Sequence, residues 1–134
     1  MRNTIFLIMN EMIKLLKNEI DSFLTKHKKY SSFKIGKTGN LDYRRKEYYE
    51  SGFQFVWEIA TGEAQIITNT EKGLIKYFTN ESPHKYKCLN EQEGGGSNNA
   101  TILYIAIKAE NLDINDLHDD TFPISDNLPI NLNK

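Results

Sequence analysis

Arg44 and Tyr48 stand one helical turn apart and follow a glycine-bounded segment, Gly36-Lys-Thr-Gly39. Arginine carries a permanent charge in a forked geometry, and a tyrosine one turn further on offers a hydroxyl to the same spot. After a glycine turn, that pairing suits a bound phosphate. The plain alternative is a strand-to-helix connection whose basic residues face solvent. A third residue, Glu71, falls four positions after Ile67 and three before Leu74, on or beside the apolar face of a helical pattern. An unpaired carboxylate there is costly. Either a cation or hydrogen-bond donors meet it, or it turns outward as a boundary residue.

The elements that must position these residues can be read from periodicity. Residues 33–35 alternate as the end of a half-buried strand, Asn40 is placed to cap the helix that follows, and Gly52 is placed to end it. Residues 53–59 alternate as a second strand, with Phe53, Phe55 and Trp57 on one face, before Thr61-Gly62 breaks it. A helix over residues 63–78 has Ala64, Ile67, Leu74, Ile75 and Phe78 as its apolar stripe. Residues 1–27 form a long amphipathic helix with Ile5, Ile8, Met9, Met12, Ile13, Leu16, Ile20, Phe23 and Leu24 in register. That face packs on the domain, or it pairs with a second copy in a homodimer. Residues 91–99 read as a flexible linker, or else as a loop whose backbone N–H groups lie over a phosphate, and 101–108 as the strongest strand; the chain beyond 110 turns acidic and proline-containing, with little structure of its own.

Composition restricts the function classes. The net charge of −1 argues against a protein that coats nucleic acid indiscriminately, but residues 26–46 hold eight Lys/Arg against one acid. A basic segment on an otherwise acidic chain is what a local phosphate-binding face looks like, or else a solvated lysine-rich stretch. Cys88 is the single cysteine, and His27, His84 and His118 share no ligand spacing with it, which argues against disulfides and a zinc site. The apolar run at residues 4–9 is too short for a membrane span and lacks the small-residue cleavage site of a signal peptide, so the expected location is cytoplasmic, with no membrane partner.

Lys34-Ile-Gly36, Asn40-Leu41, Arg44 eight residues after Gly36 and Tyr48 four further on resemble the second half of the GIY-YIG nuclease motif, in a form similar to a branch rich in phage and viral members. Thr70-Glu-Lys-Gly-Leu-Ile-Lys76 resembles the helix that carries the metal-binding glutamate of that superfamily, and Asn90 falls near a recurring asparagine. The resemblance covers about residues 30–95. It implies a metal-dependent DNA endonuclease of viral, phage or mobile-element type. Glu71 would hold one Mg²⁺ or Mn²⁺, Arg44 would grip the phosphate, and Tyr48 would orient water or substrate. Lys34, Lys37, Arg45, Lys46 and Asn90 would bind the nucleic acid, DNA first and RNA second. A catalytically silent nucleic-acid-binding module and a helix-mediated protein-interaction module are the other readings.

The strand carrying Gly-Ile-Tyr is missing from its place before Lys34, and a two-stranded sheet would be marginal. Ile102-Leu-Tyr-Ile105 resembles it with the glycine replaced. The C-terminal strand is therefore expected to take that sheet position, as in a circular permutation routed through residues 94–97. Tyr104 becomes the candidate general base, with Tyr30 second; otherwise Tyr104 simply packs in the sheet. The expected fold is α+β: a small, mostly antiparallel three-stranded sheet flanked by helices. Residues 1–29 add an N-terminal helix, 30–109 form the domain, and 110–134 form a loose acidic tail.

Overall fold

The run Ile102-Leu-Tyr-Ile-Ala-Ile is apolar on both alternating sets, so it is stable only with strands on either side and cover on both faces. A computed structural model of the chain, which describes residues 2–27, 30–91, 99–109 and 124–133, places it accordingly. Strand β3 (Ile102–Ala109) lies between β1 (Tyr30–Thr38) and β2 (Phe55–Thr61), antiparallel to both. Ile35 pairs with Ile105, Gly36 with Tyr104, and Trp57 with Ile105 across the other edge.

The sheet differs from expectation in having four strands and mixed direction. Strand β4 (Ile130–Asn131) runs parallel to β2 at the far edge. Its cause lies in the tail: Leu128 and Leu132 are buried in the core, and the Leu132 amide donates to Thr61 O at 2.8 Å. Asn133 Oδ1 accepts from the Glu63 amide at 2.8 Å, at the start of the following helix. Residues 124–133 are therefore part of the packed domain rather than a loose tail; residues 110–123 lie outside the described residues, as does the 94–97 connection.

One sheet face, with Phe33, Ile35, Trp57, Ile59, Leu103, Ile105 and Ile107, is covered by α1 (Arg2–Lys26) and α3 (Ala64–Asn80). From α1, Leu16, Ile20, Phe23 and Leu24 enter this core; the side chains of Ile5, Ile8 and Met9 lie outside the described part. The stripe from Met12 onward is thus used within the chain. Full burial of a leucine or isoleucine contributes about 1.5–3 kcal/mol, so these four residues alone hold α1 firmly. Ser82 Oγ and Tyr77 Oη both donate to Asp21, tying α1 to the end of α3. Among the described residues no helix is long and apolar enough to cross a membrane.

The other face carries the smaller α2 (Leu41–Glu50), which buries no residue completely. Leu41, Tyr48 and Phe53 pack on Val56, Tyr104 and Ala106. Asn40 Oδ1 caps α2 by accepting from the Tyr43 amide, and Gly52, at φ +93°, takes the left-handed turn that ends it. β1 runs on through Gly36, Lys37 and Thr38, so the turn into α2 is Gly39-Asn40 rather than the whole glycine-bounded segment.

Candidate functional site

β1 is an edge strand, and its edge is closed by the segment after α3. Cys88 bridges to Phe33, the Leu89 amide donates to Phe33 O at 2.8 Å, and Asn90 uses its amide side chain as a short strand, accepting from Ile35 N (2.9 Å) and donating to Ile35 O (2.8 Å). A cleft of about 460 Å³ opens beside this edge. Into it come Lys34, Gly36 and Lys37 from β1, Arg44 and Tyr48 from α2, Glu71 from α3, Tyr104 from β3, and Leu89, Asn90 and Glu91 from the closing segment.

Gly36 makes the approach of Tyr104 possible. A Cβ at position 36 would overlap the Oη and Cζ atoms of Tyr104, so the phenol ring lies directly across the glycine. Its hydroxyl reaches Tyr48 Oη at 3.0 Å, with the rings edge to face at 5.5 Å. Burial raises the Tyr104 pKa, the adjacent Tyr48 adds to this, and the Arg44 charge only partly opposes it. The phenol is thus held protonated, opposite to what a phenolate base requires: desolvation outweighs the neighbouring cation. Tyr30, the second candidate base, is on the other face of the sheet, bonded to His84 Nδ1 at 2.6 Å and away from the cleft.

Glu71 is 1 % exposed, and its Oε1 has no hydrogen-bond partner. Burial pushes its pKa up to about 7, against the opposing charges of Lys37 and Lys34. Lys37 is itself 2 % exposed, and its Nζ donates to Thr68 Oγ1 at 3.0 Å, one turn before Glu71 on α3. The cleft therefore combines a destabilised carboxylate with a largely cationic wall.

Arg44 bonds Glu47 Oε1 through Nη1 at 3.0 Å, while its Nε is buried without a partner. Helical rotation sends the next residue elsewhere: Arg45 Nε donates to Val56 O at 3.0 Å, and Arg45 and Lys46 line a separate depression with Asp42, Tyr49 and Glu50. Of the expected site residues, Arg44, Tyr48, Glu71, Tyr104, Lys34, Lys37 and Asn90 share the cleft; Arg45 and Lys46 do not. The Asn90 amide is committed to the β1 backbone, which makes it a residue that shapes the wall. Sequence reasoning missed Leu89 and Glu91 on the lip. Glu91 adjoins Asn90 but begins the stretch that reads as a linker, so only the bonding of Asn90 to β1 brings it to the site.

Among the described residues no three His, Cys, Asp or Glu side chains cluster as a ligand set. Glu71 lines the cleft, and its carboxylate is the donor type that would hold a hard divalent cation there. No family model matches the chain, and neither the curated proteins nor the solved structures include a match to it.

Proposed function

We infer that this chain is a phosphodiesterase of GIY-YIG type that cleaves DNA in the cleft beside β1. The observation that carries this reading is the meeting, from three elements, of the Arg44 guanidinium, the Tyr48–Tyr104 hydroxyl pair and the buried, unpaired Glu71. Hydrolysis requires a water oxygen to attack phosphorus while the bond to the leaving oxygen breaks, with a proton moving from the water and one reaching the leaving group. Arg44, which lines the cleft, grips the phosphoryl oxygens and offsets the charge that grows on them. Lys34 and Lys37 add to that field. The hydroxyls of Tyr48 and Tyr104 orient the attacking water or a phosphoryl oxygen, since both remain able to donate and accept. Glu71 would hold a Mg²⁺ or Mn²⁺ ion, which when bound supplies Lewis-acid stabilisation of the leaving oxygen.

A binding-only module is the second reading, favoured by the raised pKa of Tyr104 and by the Lys37 charge already facing Glu71. Plasmid nicking in Mg²⁺ and in excess EDTA separates the two. The nuclease reading expects nicking that EDTA abolishes and that Arg44→Ala slows at least about a hundredfold, the scale of losing a donor to developing charge. Salt-sensitive binding without nicking in either condition selects the silent module.

A further inference from the structure

A second hollow of about 400 Å³ adjoins the cleft and shares Lys34, Arg44, Tyr48 and Leu89 with it. The cleft reading leaves this hollow unused. Its own walls are Phe53, Ser51 and Glu47. We propose that it is a nucleoside subsite, which takes the base and sugar next to the phosphate held at Arg44. The proposal rests on the phosphate reading of the cleft.

The chemistry of the walls selects the occupant. Phe53 and Leu89 offer an apolar surface, and Leu89 is 46 % exposed, so contact is available without rearranging the core. The Tyr48 ring stands edge to face with Phe53 at 5.0 Å and fixes its plane. Glu47 spends one oxygen on Arg44, and a carboxylate retains further lone pairs for the N–H groups at the edge of a base. Lys34 and Arg44 stand where the two hollows join, which requires an anionic linker at that point and disfavours a purely apolar ligand. A flat π body with N–H donors on its rim and a phosphate attached is a nucleotide. The volume lies within the usual range of small-molecule sites. A base can enter only if it is out of the helical stack, so the preferred substrate carries an unpaired nucleotide beside the cleaved bond.

Fluorescence anisotropy tests this with a single-stranded deoxyoligonucleotide about four nucleotides long and an abasic deoxyribose-phosphate oligomer of equal length and charge. The wild-type chain should bind the base-containing oligomer about tenfold more tightly, the scale of one base–aromatic contact. Phe53→Ala and Leu89→Ala should each reduce that ratio towards one without weakening the abasic oligomer. Leu89→Ala carries the test if the Phe53 variant fails to fold. Equal wild-type affinity for both oligomers, with Arg44→Ala still weakening each, overturns the subsite and leaves the phosphate reading standing. Affinities that Arg44→Ala also leaves unchanged overturn both.

Discussion

The hydroxyls of Tyr48 and Tyr104 stand 3.0 Å apart across 56 residues of sequence, because Gly36 lets the Tyr104 ring lie flat over β1. The pair joins α2 to the central strand and directs two hydroxyls at one cleft. Tyr48→Phe and Tyr104→Phe keep the rings and remove one oxygen each. Stability should fall by about 1 kcal/mol, the usual net value of a hydrogen bond, while single-turnover cleavage slows by about 10²-fold, the scale of losing one donor to developing charge. Cleavage at the parent rate by both variants would remove the pair from the mechanism.

Gly36→Ala tests the shelf itself. The added methyl overlaps the Tyr104 ring, and overpacking of this kind costs about 1–3 kcal/mol. Because the ring must move, cleavage should drop at least as far as in Tyr104→Phe. Gly39→Ala is the control, since a Cβ there meets nothing within 4 Å.

Glu71 makes a pH prediction. Its folded pKa is raised to about 7 from an ordinary 4.5, so the folded chain binds the proton more tightly than the unfolded one. Stability should therefore be highest below about pH 4.5 as far as this group is concerned, fall as pH rises through the window to about 7, and then level off. The loss is of the order of 3 kcal/mol. Glu71→Gln should flatten that slope and be the more stable protein at pH 8. Divalent-ion affinity should rise with pH through the same window, because the ion competes with the proton. Urea melts from pH 5 to 8 check the sign.

The C-terminal segment is a packing element, and Leu132 shows it. Leu132→Ala removes a buried side chain beside Gly62 and Thr61. It should cost about 2–4 kcal/mol in urea unfolding; a change below about 0.5 kcal/mol would place residues 130–133 outside the fold's stability.

Much of this architecture was legible because its signals are local. The β-rich run at residues 102–107, the stripe of Ile67, Leu74, Ile75 and Phe78, and the caps Asn40 and Gly52 each report on a single element. That the strand at residues 101–108 pairs with the 33–35 or the 53–59 strand was also foreseeable, since two strands without a third partner are marginal; its place between both is seen only in the fold. β4 was not, because two residues within an acidic, proline-containing stretch carry no periodicity; their place comes from Leu128 and Leu132 finding a core built elsewhere. At the site, the helical spacing of Arg44 and Tyr48 survived into three dimensions. The divergence of Arg45, and the use of Asn90 to close an edge, depend on what lies opposite each side chain, which spacing does not encode.

The central claim is that the buried, unpaired carboxylate of Glu71 serves phosphodiester cleavage rather than folding. Single-turnover cleavage of a labelled DNA by wild type and Glu71→Gln, in the same Mg²⁺ buffer at pH 8, measures this most directly. The account predicts cleavage by wild type, a loss of about a hundredfold to a thousandfold in the variant (the scale of removing one group that stabilises transition-state charge), and a variant fold no less stable than the parent. A folded Glu71→Gln protein that cleaves at the wild-type rate would contradict it.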